Sequence, residues 1–340
     1  MKRKTIYDVA AEAGVSISTV SRVINGKGYV SDEMRQKVEK ACVNYRPIAS
    51  AREIQTQKSD TIAVIISNNI RYVFMNSTYL NILSAITTVA KRAGYRIMLD
   101  VYEQEEDDTA YDLYLERRVD GFIILGAKKS SKLIDVFNEN KVPFVLVGDY
   151  GDDSKAVCQV EIEDENAVRS VVDYLTNIGH TKIGIITGSL EYASSCNRLK
   201  GYLSALEAAG IEKRDEYIEN CDNMTGVMGE NLAKKLLLLR EPITALVAFN
   251  DSIALAAYKA AQSLNIQIPD QLSIVGFDDI LEASYVQPGL TTVWQPSYEK
   301  GEKAATLLIN ALENQELPRG KVELKSVIIY RDSCKPLKGE

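Results

Sequence analysis

From Thr61 onward the chain is built on short apolar runs, each followed by a stretch with helical spacing. Ile62 to Ile66, Arg96 to Val101, Gly121 to Leu125 and Phe144 to Val147 make one series; Lys182 to Thr187, Ala245 to Phe249 and Leu272 to Phe277 make a second. Runs this short and this rich in Ile and Val read as strands covered on both faces, which is the habit of parallel sheets. Leu80 to Ala93, Arg198 to Ala209 and Ser252 to Leu264 supply helices for right-handed crossovers between them. Two such series predict two similar α/β lobes, with ligand groups gathered at the C-terminal ends of the strands. Ser326 to Tyr330 reads as a last strand returning to a lobe.

The first sixty residues have a different texture. Thr5 and Asp8 fit a capping box for one helix, Gly14 stops it, Ser16 caps a second through Val20, Val23 and Ile24, and Ser31 caps a third through Met34, Val38 and Cys42. A helix, a tight glycine turn and a second helix form the helix-turn-helix pattern, whose second helix lies in the major groove of DNA. Charge supports that reading. Residues 1–58 hold 11 Lys or Arg against 6 Asp or Glu, a net of +5, while the rest holds 29 against 41, a net of -12. A small basic module that suits a polyanion leads a larger acidic body.

Several function classes are excluded by what the sequence lacks. G-x-S-x-G, G-x-x-x-x-G-K-[ST] and clustered metal ligands are missing, so an enzyme, a metal site and a cofactor are not expected. Five cysteines without metal spacing read as reduced thiols. The sole histidine, His180, follows Gly179 at a helix end and reads as part of a cap rather than a catalyst. Leu236 to Leu239 reads as a packed helix end. With no signal peptide and no apolar run near the roughly 20 residues of a membrane span, a cytoplasmic protein without membrane contact is expected.

Thr5 to Asn25, TIYDVAAEAGVSISTVSRVIN, resembles the N-terminal signature of the lactose/galactose repressor (LacI/GalR) family of bacterial transcription regulators at nearly every position. Further similar patches are Arg118 to Ile124, Gly179 to Gly184, Asn250 to Ala254, Val275 to Asp279 and Leu290 to Pro296, so the likeness spans roughly residues 4–334. It implies an all-α helix-turn-helix DNA-binding domain at 1–46, a hinge helix and linker at 47–59, and a periplasmic-binding-protein-like core of two Rossmann-like lobes with parallel sheets at 60–340. Chain crossings between lobes are expected near 160, 290 and 322, giving an N-lobe of about 60–160 and 291–322 and a C-lobe of about 161–290 and 323–334.

The resemblance also assigns roles. A homodimer would read a pseudo-palindromic operator in double-stranded DNA, with Ile17, Ser18 and Arg22 at base edges. Thr5, Tyr7, Ser16, Thr19, Ser21, Asn25 and Ser31 would hold phosphates, and Ala51 and Ile54 would pair in the hinge, with Ile54 as the minor-groove wedge. A small-molecule effector, a sugar first of all, would meet Asp149, Arg198, Asn250 and Asp278, with Asn69, Tyr72 and Phe74 added by the loop Ser67 to Tyr79. That enlarged loop suggests an oligosaccharide. Asp278 rather than Asp279 would face the cleft, and Trp294 would sit at a lobe crossing or in the core. Within the family a purine- or phosphoprotein-responsive regulator is the alternative; outside it, a carbohydrate-binding protein without a DNA role.

Overall fold

The computed structural model describes residues 6–24, 30–42, 58–67, 70–102, 109–152, 157–222 and 226–337. Thr5, Asn25, Ala51, Ile54 and Asn69, and the side chains of Tyr7 and Tyr72, lie outside the described residues. The chain divides into two compact units, Met1–Lys58 and Ser59–Glu340.

The described residues of the first unit form three helices: α1 (Ile6–Ala13), α2 (Ile17–Ile24) and α3 (Asp32–Ala41). Val9, Ala10, Ala13, Val20, Val38 and Ala41 form its small core, one stripe from each helix. Two expectations need correction. Ser31 stands at the N-cap of α3 in extended conformation but makes no side-chain capping bond, and Met34 is exposed rather than packed.

The second unit holds two six-stranded sheets. The first contains β1 (Thr61–Ser67), β2 (Arg96–Tyr102), β3 (Gly121–Leu125), β4 (Phe144–Val147), β5 (Gln159–Ile162) and β11 (Lys321–Leu324), in the order β11-β5-β4-β3-β1-β2 and parallel throughout. In the second are β6 (Ile183–Gly188), β7 (Ile218–Cys221), β8 (Ala245–Ala248), β9 (Ser273–Asp278), β10 (Thr291–Trp294) and β12 (Val327–Ile329), in the order β12-β10-β9-β8-β6-β7. Only β12 runs antiparallel to its neighbour. The helices are α4 (Ile70–Met75), α5 (Ser77–Arg92), α6 (Thr109–Leu115), α7 (Lys132–Glu139), α8 (Asp164–Asn177), α9 (Ala193–Ala208), α10 (Gly226–Leu237), α11 (Asp251–Ser263), α12 (Leu281–Tyr285) and α13 (Ser297–Asn314). Of the expected packed run, Leu236 and Leu237 are buried at the end of α10 and Leu239 packs partly against the same core, whereas Leu238 is exposed.

The chain crosses between lobes three times, each time a few residues later than the sequence suggested. The crossings fall at Glu163, at Gln295–Pro296 and at Lys325–Ser326. The middle shift has a visible cause. Thr292 donates to Asp251 at 2.6 Å, and the Thr291 N–H donates to Ser333 at 2.8 Å, so both threonines belong to the second lobe. The segment 291–294 is therefore C-lobe, not N-lobe, while α13 lies against β3, β4 and β5 of the first.

Candidate functional site

In the first unit, Gly14 adopts φ 62°, a left-handed turn that L side chains resist, and the Val15 N–H closes it on the Ala10 carbonyl at 3.1 Å. Ser16 then caps α2, its hydroxyl accepting the Thr19 N–H at 3.2 Å. Because Val20 anchors α2 in the core, the opposite face points outward with Ile17, Ser18 and Arg22 exposed. Ser18 and Arg22 are one turn apart and share a stripe. Thr19 and Ser21 flank it half-buried, and the Ser16 hydroxyl lies 2.8 Å from both Ser18 Oγ and Thr19 Oγ1. The stripe offers hydroxyls and one guanidinium, the groups that meet phosphates and base edges.

In the second unit, a cleft of about 160 Å³ lies between the lobes where strands of both sheets end. On the second-lobe side Arg198, 7% exposed, is held by two hydrogen bonds and two aromatic rings. Its Nε donates to Asp164 Oδ1 at 2.6 Å, its Nη1 donates to the Phe249 carbonyl at 2.6 Å, and its guanidinium stacks against Phe277 and Phe249, 3.5 and 4.4 Å from the ring centroids. A guanidinium fixed this firmly presents its remaining N–H donors in one direction. Asp278 closes β9 at φ 113° and Asp279 follows at φ 57°, a pair of unfavourable conformations at the rim of the cleft. They part as expected: Asp278 lines the cleft, and Asp279 turns away to pair with Arg331 at 2.6 Å.

Three groups absent from the sequence-based expectations complete the cleft. Glu161, on β5, is buried and paired with Lys321 Nζ at 2.5 Å. Lys300, in the first turn of α13, is buried and donates to Gln295 Oε1 at 2.6 Å, while the Gln295 amide nitrogen donates to Asp278. This chain of bonds joins the first lobe, the middle crossing and the second lobe. Burial pushes Asp278 up to about 6 and Glu161 to about 7, and lowers Lys300. Lys300 reaches the cleft because Gly301 beside it lets α13 close on α5; a Cβ there would lie 2.4 Å from the Ile82 carbonyl oxygen.

The structure brings Arg198, Asn250 and Asp278 together at the cleft, but not the others. Asn250 spends its side-chain oxygen capping α11 through the Ile253 N–H at 2.9 Å. Asp149 does not line the cleft. Its carboxylate accepts the Gly151 N–H at 2.8 Å and Asn197 Nδ2 at 2.7 Å, the second bond crossing between lobes. Nearby, the Lys129 N–H donates to the Glu191 carbonyl at 2.9 Å and Lys128 pairs with the Glu191 carboxylate at 3.2 Å, so these residues form a latch across the rim. Phe74 is half-exposed and away from the cleft; from that region Asn76, Thr78 and Tyr79 line it instead, because the loop folds into α4 and the start of α5. Trp294 ends β10 at the middle crossing, 40% exposed and outside the cleft, so its successor Gln295 occupies the site. The Gly179-His180 backbone caps α8, but the His180 ring bridges Thr244 at 3.0 Å and Ser273 at 2.9 Å, and burial lowers its pKa. No metal-binding cluster occurs among the described residues, and none of their helices is long and apolar enough to cross a membrane.

Residues 5–47 match the family described as bacterial regulatory proteins, lacI family, and residues 172–334 match the periplasmic binding protein-like domain. Over 336 residues the chain is 33% identical to catabolite control protein A of Priestia megaterium, covering 97% of this chain and 99% of that one. The chain belongs to the lacI family. This lacI-family chain is also 31% identical over 337 residues to the HTH-type transcriptional repressor CytR of Escherichia coli (strain K12), covering 98% and 97%. Among solved structures it resembles the transcriptional regulator CelR in complex with cellobiose (TM-score 0.76, 28% identity, 97% of this chain and 100% of that one). A second is the lac repressor dimer bound to operator and the anti-inducer ONPF (TM-score 0.72, 27% identity, 98% and 100%). As a lacI-family member it is a DNA-binding transcriptional regulator and not an enzyme, which disposes of a carbohydrate-binding protein without a DNA role.

Proposed function

We propose that this regulator is a repressor that binds a pseudo-palindromic operator as a homodimer and is switched by a small uncharged sugar held between its lobes. On DNA, Arg22 grips a guanine through O6 and N7, while Ile17 and Ser18 meet neighbouring base edges. Thr5, Tyr7, Ser16, Thr19, Ser21, Asn25 and Ser31 hold phosphates, and Ala51 and Ile54 pair at the minor groove. The operator-bound lac repressor dimer supports this half of the reading, and the CelR–cellobiose complex supports a sugar in the cleft.

The observation that carries the effector assignment is the charge balance of the cleft. Arg198 faces Asp164, Lys321 faces Glu161, and Lys300 and Asp278 share the two ends of the Gln295 amide. Every charge has its counterpart, so a charged ligand would unbalance a buried site, whereas hydroxyls can use the donors and acceptors left over. A space of about 160 Å³ suits a single six-membered ring, since an engineered cavity of about 150 Å³ admits benzene.

Thermal unfolding of the full chain across mono- and disaccharides, uronates, sugar phosphates and purines tests this. A ligand that binds only the native state stabilises it by about 2.7 kcal/mol at a hundredfold excess over Kd. The expected result is a shift with a neutral sugar that disappears in Arg198→Ala. A shift confined to uronates, phosphates or purines, or none at all, would overturn the assignment.

A further inference from the structure

Lys300 and Glu161 have bonding capacity that the protein leaves unused. An ammonium carries three donors, yet the Lys300 Nζ has one hydrogen-bond partner among the described residues, Gln295 Oε1. Glu161 engages Lys321 through Oε1 alone, and no described residue donates to its Oε2. Both side chains are more than nine-tenths buried, and both line the cleft. Burying a charged group with unmade hydrogen bonds is costly, and a ligand that completes them recovers that cost. Arg198 and Asp278 face the same space from the other lobe.

We propose that Lys300 and Glu161 form a second recognition edge, on the first lobe, that grips hydroxyls of the effector and decides which sugar epimer the cleft accepts. The inference rests on the sugar reading above and deepens it. One hydroxyl accepts from Lys300 and another donates to Glu161, while Arg198 and Asp278 hold the far side of the ring. Inverting one carbinol centre removes a hydroxyl from one of these partners and leaves that buried group with a hydrogen bond unmade. A site built to bond a hydroxyl discriminates strongly against a molecule that fails to supply it. Because the two edges belong to different lobes, a ligand spanning both also holds the lobes together.

The test uses the full chain with D-glucose, D-galactose, D-mannose, D-xylose and cellobiose, with affinities measured by calorimetry. Wild type is compared with Lys300→Met, Lys300→Arg, Glu161→Gln and Arg198→Ala, all checked for folding by circular dichroism. The expected outcome is that Lys300→Met and Glu161→Gln each weaken the preferred sugar by about tenfold or more and collapse its advantage over its epimers. Lys300→Arg should restore part of that preference. A residue that merely supported the fold would lower all sugars in one ratio and leave the preference intact. If the preferred sugar is lost in Arg198→Ala but keeps both affinity and epimer preference in Lys300→Met and Glu161→Gln, the second edge is wrong and the sugar-binding cleft stands. If wild type binds none of the five, the sugar reading falls and the second edge falls with it.

Discussion

Asp251 shows how much a single buried carboxyl can bind together. It is fully buried, accepts from Thr292 at 2.6 Å and from the Ile280 N–H at 2.9 Å, and so ties the start of α11 to β10 and to the segment after β9. Burial first, and then the charge of Asp278, push its pKa up to about 8. A carboxyl raised on folding stabilises fully below its unfolded value, near 4, and loses that contribution as pH rises through about 8. Asp251→Asn retains an acceptor for Ile280 and a donor for Thr292 but does not ionise. Its stability relative to wild type should therefore improve between pH 5 and pH 8 by about 1.4 kcal/mol or more, the worth of one pKa unit, as read from urea midpoints. At this scale the sequence was partly legible. Asn250 and Asp278 stand just beyond or at strand ends and Arg198 on the helix after β6, where an open α/β fold gathers ligand groups, whereas Lys300 and Glu161 look like ordinary surface charges. Only the packing of α13 on α5, and of β11 beside β5, turns those two inward.

The elements divide along the same line. Strands with unbroken apolar runs, such as Ile62 to Ile66 and Phe144 to Val147, were evident, because a strand buried on both faces has no polar interruptions. Gln159–Ile162 and Lys321–Leu324 were not, since polar residues alternate in both and the Glu161–Lys321 pair that reconciles them is a tertiary event. Helix α13 hid for a related reason: its buried face includes Ser297, Lys300 and Gly301. Gly301→Ala should push α13 away from α5, because the added carbon meets the Ile82 carbonyl oxygen at 2.4 Å. We expect a loss of about 1–3 kcal/mol in chemical denaturation, the usual cost of overpacking. Sugar affinity should fall too, since Lys300 moves with the helix.

For the whole molecule, the charge division between units carries a prediction of its own. Duplex binding should weaken steeply with salt through the basic unit, and Arg22→Ala should relax base preference at one operator position at a cost of about 1–3 kcal/mol, measured by fluorescence anisotropy on a selected duplex and its variants. The rim latch predicts a second effect. Asn197→Ala removes its bond to Asp149 and should weaken the effector severalfold, about 1 kcal/mol, without touching the Arg198 contacts. Two lobes are readable from the series of strands and three crossings from the family resemblance, but the placement of the middle crossing needs the Thr291 and Thr292 bonds. Those crossings all lie at one edge of each sheet, beside β5 and β11 in the first lobe and β10 and β12 in the second. The core is thus bound like a book, with its spine at that edge. The Lys128 and Lys129 contacts of the latch with Glu191 follow β3 on one page and β6 on the other, two to four strands away, a lever arm of about 15 Å at roughly 4.8 Å per strand. Turning the pages apart by about ten degrees separates Lys128 and Lys129 from Glu191 by about 2.6 Å on that arm, enough to part their backbone hydrogen bond and ion pair, while Gln295 at the spine scarcely moves.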